Sequence, residues 1–322
     1  MVNTQWEAMK DLCPSNPSFL PQDYPDLTDK IALITGSNTG VGYESAKALL
    51  KQNATVIFLN RNLEKTEDAI ERIKKELHDK DLNKKIFSFR ADLSDLSSIK
   101  PAVDKIKSMF HEIHFTILNA GVMQPPDGSK TKQGYELQIG TNVLGHHLLQ
   151  LLLTPLVLNA ATPDFNPRVV WLTSSAHLLS YPKGGIKWDS FHDASNSSSM
   201  TCYGQSKTGN MYQAYIYGKL HKKDGIISVG VHPGYLNSEL QRSYGKFKQF
   251  FLKKIFYPPV YGSYTELFGA LSPDVTLEDK YGRYIGPWGE FRLLRDDIQE
   301  GLSDGTAQKF WDWASKEVEP YI

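Results

Sequence analysis

The sequence predicts an α/β protein with a single Rossmann-type, doubly wound parallel sheet and helices on both faces. From residue 31 onward, short runs rich in β-branched residues alternate with longer helical segments, an order typical of parallel strands joined by helical crossovers. The short runs are apolar on both faces, as expected of strands that helices cover on each side. A glycine-rich turn follows the first run and opens the first helix. Together these three observations predict the fold class.

The strand candidates follow one another along the chain, with helical segments between them. The first helical segment, 41–52, places Ala46, Leu49 and Leu50 on one face, which gives it an apolar side for packing. A charged helix is predicted over 62–79, and the polar stretch 193–201 predicts a loop. The strand candidates are 31–35, 55–60, 85–90, 114–119, 168–174 and 226–232.

The longest apolar stretch, 148–161, is shorter than the roughly 20 residues that cross a bilayer. Gly145, His146 and His147 precede it, so we expect a buried helix and no transmembrane segment. Two adjacent imidazoles on a helix point to different faces and are poor co-ligands for one metal. We therefore expect packing or hydrogen-bonding roles for His146 and His147, and no metal site.

The composition narrows the classes of partner and compartment. Lysine plus arginine balance aspartate plus glutamate at 36 each, and a neutral chain has no net field to draw it onto nucleic acid. We therefore expect no nucleic-acid partner. Cys13 and Cys202 lie too far apart in sequence for a disulfide framework or a zinc site. The first residues lack the apolar run of a secretory signal, so the sequence predicts a cytoplasmic protein.

The turn between the first strand and the first helix carries glycines in a G-x-x-x-G-x-G pattern. A tight turn favours glycine, and close approach of the backbone to a pyrophosphate requires the absence of a Cβ atom. The start of the following helix then offers unpaired N–H groups to the anion. An ordinary glycine-rich turn is the alternative. The predicted phosphate site comprises Gly36, Ser37, Asn38, Thr39, Gly40, Val41 and Gly42.

The ends of the next strands supply further candidate contacts. The second strand ends in Asn60 and Arg61, where a site that selects NAD usually has a carboxylate for the ribose hydroxyls. A cation here pairs with a 2′-phosphate, so NADP(H) is the predicted cofactor; a solvated surface arginine is the alternative. Asp92 either accepts from the adenine amino group or caps the next helix. The remaining candidates at these strand ends are Leu93, Asn119, Ala120 and Gly121.

Tyr203 and Lys207 are four residues apart in a helical segment, which places them on one helix face. A free tyrosine has a pKa of about 10 and is a poor base at neutral pH. A cation about 4 Å away, at an effective dielectric constant of about 20, favours the phenolate by about 4 kcal/mol, or roughly three pKa units. Tyr203 is therefore a candidate acid and base for a carbonyl or alcohol oxygen. A surface pair is the alternative.

These motifs follow one another in a definite order along the chain: the glycine pattern, Asn119-Ala-Gly121, Asn142, a serine after the fifth strand, and Tyr203-x-x-x-Lys207. In that order they resemble the short-chain dehydrogenase/reductase family over about residues 30–290, and within it the retinol-dehydrogenase and WW-domain-oxidoreductase branch. The resemblance implies an oxidoreductase that transfers a hydride between NADP(H) and a carbonyl or alcohol substrate.

The resemblance also implies roles for individual residues. Lys207 would hold the nicotinamide ribose, and Asn142 would hold a water that links Lys207 to solvent. The stretch RVVWLTSSAH, 168–177, aligns by length with the Arg-Val-Val-Asn-Val-Ser-Ser-x-Ala-His of the branch. That alignment implies that Ser174 hydrogen-bonds the substrate oxygen, with Ser175 as the alternative.

The segment after the sixth strand completes the implied site. By the resemblance, Pro233 and Gly234 would line the nicotinamide, and Ser238 would bond its carboxamide. A substrate lid is implied near 239–260. Within it, aromatic residues alternate with lysines over 244–259. That pattern is compatible with a lid over an apolar substrate and with a basic amphipathic helix on an anionic membrane or lipid droplet.

We expect three parts in the chain: an N-terminal arm over 1–29, a catalytic domain over 30–300, and a C-terminal helix and tail over 301–322. By analogy with the family, a homodimer is also expected. The alternative function is a non-catalytic, NADP(H)-binding regulatory or scaffold protein on the same fold. All four tetrad positions, Asn142, Ser174, Tyr203 and Lys207, are filled, which argues against that alternative.

Overall fold

The computed structural model describes residues 4–78, 82–237, 256–278 and 283–322, and an eight-stranded sheet forms its centre. The strands are β1 (Ile31–Thr35), β2 (Thr55–Asn60), β3 (Ile86–Arg90), β4 (Phe115–Leu118), β5 (Arg168–Leu172), β6 (Ile227–Val231), β7 (Tyr284–Gly286) and β8 (Glu290–Phe291). They lie in the order β3-β2-β1-β4-β5-β6-β7-β8. Neighbouring strands from β3 to β7 pair in parallel, and β8 pairs antiparallel with β7. The predicted doubly wound α/β fold is confirmed.

Helices cover both faces of this sheet. They are α1 (Thr4–Leu12), α2 (Gly40–Lys51), α3 (Leu63–Leu77), α4 (Ile99–Met109), α5 (His146–Asn159), α6 (Ser199–Leu220), α7 (Pro259–Leu271), α8 (Asp296–Gly301) and α9 (Thr306–Val318). Alternate residues of β1 enter different halves of the core, as the strand period requires. Leu33 packs with residues of α4, α5, α6 and α9. Ala32 and Ile34 pack with residues of α2, α3 and α7.

The winding of the sheet reverses at β1, which lies between β2 and β4. In open α/β sheets, ligands bind at the carboxyl ends of the strands at such a reversal. The turn after β1 and the segment after β4 therefore meet at one edge. That edge is where the predicted phosphate site lies.

Helix α5 contains most of the long apolar stretch. A π-helical turn, Ile139–Gly145, leads into it. Among the described residues, the helical stretch Ile139–Asn159 has the length and apolarity of a membrane span, yet 78% of the tested window is buried inside the protein. The expected hydrogen-bonding roles are present as well. His147 contacts Ser315 Oγ at 2.9 Å and Gln213 Nε2 at 3.1 Å through its two ring nitrogens.

The main differences from the sequence-based expectation lie at β5, at α6 and at the end of the sheet. β5 ends at Leu172, two residues early, because the chain then enters a short 3₁₀ turn, Ser175–Leu179. α6 begins at Ser199, inside the predicted loop 193–201, because Ser198 accepts from Thr201 N and caps the helix. The two short strands at the end of the sheet, β7 and β8, were not predicted.

Phe19, Tyr24 and Leu27 of the predicted arm pack on the face covered by α7. Phe19 contacts Phe268 edge-on, with ring centroids 6.0 Å apart. Leu27 N donates to Gln52 O at 2.7 Å at the end of α2. Phe19, Tyr24 and Leu27 are buried in the same half of the core as α2 and α3.

Candidate active site

The glycine-rich turn joins β1 to α2. Gly36 and Gly40 have φ angles of +67° and +61°, in the region that favours glycine. A Cβ atom on Gly42 would lie 2.5 Å from Asn119 Nδ2 and 2.7 Å from Gly36 O, so only glycine lets α2 pack this closely on the turn. Thr39 precedes α2 in an extended conformation without a side-chain capping bond. The start of α2 is therefore suited to receive an anion.

Asn119 ties the end of β4 to this turn. Its Nδ2 donates to Thr35 O at 2.8 Å and to Gly36 O at 3.1 Å. Beside it, Ala120 N donates to Thr35 Oγ1 at 2.9 Å. The end of β4 therefore fixes the carbonyl groups of the turn.

Ser37 and Asn60 hold the turn from the opposite side. Ser37 is fully buried; its N–H donates to Asn60 Oδ1 at 2.9 Å and its hydroxyl accepts from Asn60 Nδ2 at 3.1 Å. Both polar groups of Ser37 thus bond within the protein. The pair supports the turn, and Asn60 is directed at the turn and away from solvent.

Three arginines from separate elements border the outer end of the turn. Arg72 of α3 donates to Asn38 O at 3.2 Å and stacks on the Tyr43 ring at 4.6 Å. Arg90 at the end of β3 donates to Arg61 O at 3.2 Å. Among the described residues, none of these three guanidinium groups lies within ion-pair distance of a carboxylate. An unpaired cationic cluster of this kind is suited to a phosphate group.

Asp92 and Leu93 follow β3. Asp92 accepts from Ser94 N at 3.0 Å and from Ser94 Oγ at 2.7 Å, and Leu93 is buried in the core. The helical turn that follows is capped by Asp95, which accepts from Ser97 N at 3.1 Å. The capping role considered for Asp92 is therefore wrong, because its carboxylate closes a tight turn around Ser94. Its contact with adenine stays a prediction.

Tyr203 and Lys207 lie on one face of α6, as the spacing predicts. Lys207 Nζ is 5.6 Å from the centroid of the Tyr203 ring. It donates to Leu172 O at 2.8 Å and to Asn210 Oδ1 at 3.4 Å. Burial lowers the pKa of Lys207 from 10.5 to about 7. A Cβ atom on Gly121 would lie 3.7 Å from Lys207 Nζ, so the end of β4 reaches this pair as well.

The two candidate serines differ in exposure and in partner. Ser174 is partly exposed, and its Oγ accepts from Ala176 N at 3.1 Å. Ser175 is buried, and its hydroxyl donates to Tyr235 OH at 3.1 Å. Of the two, Ser174 is better placed to contact a substrate, because the hydroxyl of Ser175 is buried and bonded to Tyr235.

Asn142 lies in the π-helical turn before α5 and clamps the segment after β4. Its Oδ1 accepts from Val122 N at 2.8 Å, and its Nδ2 donates to Val122 O and to Ser206 Oγ, both at 3.0 Å. The Asn142 side chain therefore binds to protein on both sides. Its implied role in holding a water stays a prediction.

His146 connects the two halves of the site. Its Nδ1 lies 3.1 Å from Asn142 O, and its Nε2 lies 3.0 Å from Thr35 Oγ1. Since a carbonyl only accepts, Nδ1 carries the proton and Nε2 accepts from Thr35. Burial lowers the pKa of His146 to about 3, so the imidazole is neutral at physiological pH.

The segment after β6 closes over the glycine turn. Gly234 has a φ angle of +90°, and a Cβ atom there would lie 2.7 Å from Trp288 Cζ3. Trp288 packs in turn with Val41 of the glycine turn, and Pro233 is partly buried. Ser238 lies outside the described residues, as does most of the predicted lid.

Sequence reasoning missed two residues that shape this site. A Cβ atom on Gly204 would lie 2.5 Å from Ala176 O, so glycine lets α6 pack directly on the turn that carries Ser174. Arg295 donates to the carbonyl groups at the far end of the same turn. A glycine next to Tyr203 was a detectable signal. Arg295 lies over a hundred residues from the serine turn in sequence, and no sequence signal pointed to this contact.

Comparison with known proteins identifies the family to which the chain is similar. The family model described as short chain dehydrogenase matches residues 30–186. A short-chain dehydrogenase/reductase of Phomopsis amygdali is 36% identical, covering 99% of this chain and 98% of that protein. Another, from Neocamarosporium betae, is 34% identical, covering 100% of this chain and 94% of that protein.

Solved structures share the fold. An uncharacterized protein from Mycobacterium paratuberculosis is 25% identical with a TM-score of 0.68, covering 93% of this chain and 97% of that chain. More distant chains of this fold have been solved with NADP and with NADH. The fold therefore accommodates either nicotinamide cofactor.

Proposed function

Because the chain belongs to the short-chain dehydrogenase/reductase family, we propose that it is an NADP(H)-dependent oxidoreductase acting on a carbonyl or alcohol group of a small molecule. The observation that carries the proposal is the convergence of three groups where β4 and β5 end. Lys207 Nζ lies 5.6 Å from the Tyr203 ring, and Gly204 brings their helix against the turn that carries Ser174.

The residues present fit a nicotinamide dinucleotide. A Cβ atom on Gly36 would lie 2.9 Å from Ala120 Cα, so glycine keeps the turn tight and its backbone uncovered for the phosphates. The N-terminus of α2 adds a favourable dipole. When bound, the reduced cofactor supplies the hydride. Gly121 keeps the space between the end of β4 and Lys207 free of a side chain.

The arginine cluster supports NADP(H) over NAD(H). Arg61 follows β2 directly, where a carboxylate would favour the ribose hydroxyls of NAD. Arg72 and Arg90 are anchored on the backbone of Asn38 and Arg61 by one donor each. A 2′-phosphate would pair with these guanidinium groups.

Tyr203 moves the proton, with Lys207 as its electrostatic partner. Lys207 Nζ lies 5.6 Å from the centroid of the Tyr203 ring, and a nearby ammonium favours the phenolate over the phenol. The interaction is reciprocal, so a phenolate also favours the protonated form of the buried lysine. Ser174 donates a hydrogen bond to the substrate oxygen.

An apolar substrate is proposed from the aromatic character of the implied lid. The described part of that region places Phe256 against Tyr235, with ring centroids 5.8 Å apart, and Tyr257 against Trp288 at 5.0 Å. The basic and aromatic stretch 244–255 lies outside the described residues.

Three further proposals concern the setting of the enzyme: a cytoplasmic location, a homodimer as in many members of the family, and peripheral lipid contact through 244–259. Flotation on anionic lipid vesicles tests the last of these. Binding at low salt that is lost at high salt would support it, and no binding at low salt would contradict it.

A non-catalytic NADP(H)-binding regulator on the same fold is the second candidate function. Two contacts argue against it: Lys207 lies on the Tyr203 face of α6, and Gly204 brings that helix against the turn that carries Ser174. Cofactor binding without turnover on a broad carbonyl panel would favour the regulator.

The deciding experiment measures turnover of a panel of carbonyls and alcohols with NADPH and NADH side by side. We expect NADPH consumption that matches product formation one to one. Tyr203→Phe is the control variant. It should lose turnover by about 10²-fold or more while NADPH still binds in a fluorescence titration.

A further inference from the structure

Arg295 contacts the turn that carries Ser174 from across the molecule. It lies just before α8 and is separated from Ser180 by 115 residues in sequence. Its Nη1 donates to Leu178 O and to Ser180 O, each at 3.0 Å, and its Nη2 donates to Tyr181 O at 2.5 Å. A further contact joins Nη1 to His177 O at 3.3 Å. One guanidinium group thus serves four carbonyl groups within five residues.

These four carbonyl groups lie at or just beyond the end of the 3₁₀ segment Ser175–Leu179, where few donors are available within the segment. His177 O also accepts from Ser180 N and Ser180 Oγ, whereas Ser180 O and Tyr181 O follow the segment. Arginine offers five donors in a planar fork, whereas lysine offers three at a single point.

Asp297 fixes the direction of that fork. Its Oδ1 accepts from Arg295 Nε at 2.6 Å, and its Oδ2 accepts from Arg295 Nη2 at 2.9 Å. The same Oδ2 accepts from Gly184 N at 2.8 Å. The pair therefore holds both the serine turn and the loop that follows it.

The near end of the turn sets the orientation of the candidate serine. Ser174 O lies 3.1 Å from His177 N and 2.8 Å from His177 Nδ1. Ser174 Oγ accepts from Ala176 N. The position of the hydroxyl thus depends on the turn, and the far end of the turn depends on Arg295.

We propose that Arg295 is a positioning residue for the Ser174 hydroxyl, acting through the four carbonyl groups that it binds. The proposal rests on the proposed oxidoreductase function for its kinetic consequences. Arg295 binds the turn and takes no part in hydride or proton transfer. Its loss should therefore lower kcat with little effect on the distant phosphate site.

The kinetic test compares Arg295→Ala with Arg283→Ala. Arg283 likewise binds backbone carbonyl groups, Ser228 O at 3.4 Å and Leu277 O at 2.6 Å, but neither belongs to the serine turn. Its side chain is buried, whereas that of Arg295 is partly exposed. We expect Arg295→Ala to lower kcat by about 10-fold to 100-fold, with the Kd for NADPH unchanged within about twofold. Arg283→Ala should lower Tm and leave kcat within about twofold.

Two further readouts separate positioning from general loss of structure. Arg295→Lys should recover only part of kcat, since it restores the charge but not the fork. Low-millimolar guanidinium should restore activity to Arg295→Ala and leave Arg283→Ala unchanged. A kcat that stays at the wild-type level in Arg295→Ala, or falls no further than in Arg283→Ala, would overturn the proposal.

Hydrogen exchange tests the proposal without turnover. Amides 176–180 should exchange faster in Arg295→Ala than in the wild type, while amides 31–42 should be unchanged. If no substrate is turned over by the wild type, the proposed function fails while the exchange result still decides whether Arg295 holds the turn. Unchanged exchange at 176–180 would contradict the clamp even in an active enzyme.

Discussion

The glycine turn and the turn that carries Ser174 are held in place by different kinds of side chain. The glycine turn is fixed by uncharged amides, Asn60 and Asn119, which bond its backbone from the adjacent strands. The serine turn is fixed by the charged Arg295 from a remote part of the chain. An anion site needs its N–H groups unoccupied, whereas a short 3₁₀ turn uses its N–H groups internally and needs donors for its carbonyl groups.

The two turns also differ in how they tolerate buried charge. Apart from the exposed Arg72, which donates to Asn38 O, the described polar side chains that bond the glycine turn are neutral. His146, which joins the two regions, stays neutral because burial lowers its pKa to about 3. Beside the serine turn, Lys207 is 2% exposed, and burial lowers its pKa to about 7. The catalytic side therefore carries an electrostatic cost that the cofactor side avoids. Substitutions in the two regions should therefore have different effects, one mainly on cofactor binding and the other mainly on turnover.

The largest effect is expected from Lys207→Met, which removes the buried charge. Turnover should fall by about 10²-fold or more, because Tyr203 loses its electrostatic partner. The free energy of unfolding should rise, because methionine has a similar length and no charge to desolvate. Burial lowers the pKa of Lys207 from 10.5 to about 7. The increase in the free energy of unfolding relative to wild type should therefore be complete below pH 7 and should vanish as the pH approaches 10.5.

Urea unfolding at pH 6, 8 and 10 measures that gain, expected on the order of a few kcal/mol at pH 6. Lys219→Met, on the exposed end of the same helix, is the matched control and should change little at any pH. A Lys207→Met protein less stable than wild type at pH 6 would show that its two hydrogen bonds outweigh its desolvation.

An intermediate effect is expected from a matched pair of glycine substitutions. In Gly42→Ala, the added methyl group would lie 2.5 Å from Asn119 Nδ2, and in Gly204→Ala it would lie 2.5 Å from Ala176 O. The first should weaken NADPH binding by about 10-fold or more and affect kcat less. The second should lower kcat by a similar factor and leave the Kd for NADPH within about twofold. Equal losses of both quantities in either variant would mean that the two turns are not separable.

The smallest effect is expected from Arg61→Asp at the edge of the phosphate side. A carboxylate repels a 2′-phosphate and accepts from ribose hydroxyls, so kcat/KM should shift toward NADH by about 10-fold. Stability should change little, because Arg61 is exposed. The ratio of kcat/KM values for the two cofactors is the measurement. An unchanged ratio would place the 2′-phosphate on Arg72 or Arg90 instead.

Local sequence was enough to predict the parallel strands β1–β6, the glycine turn and the Tyr203–Lys207 face, because each depends on residues close together in the chain. A strand is set by a run of apolar residues, a left-handed turn by glycine, and a shared helix face by a spacing of four. The boundary errors at β5 and α6 arose where Ser174 and Ser198 cap helical turns with their side chains. Such caps compete with the simple reading of a strand or a loop.

Tertiary structure decided which remote side chain holds the serine turn. No sequence pattern indicated that Arg295 reaches this turn. A hydrogen bond between remote segments requires the whole chain to fold before donor and acceptor meet, and no local periodicity records it. The sequence by itself therefore determined the fold and the candidate reacting groups. The packing of distant segments decided which side chains hold those groups in position.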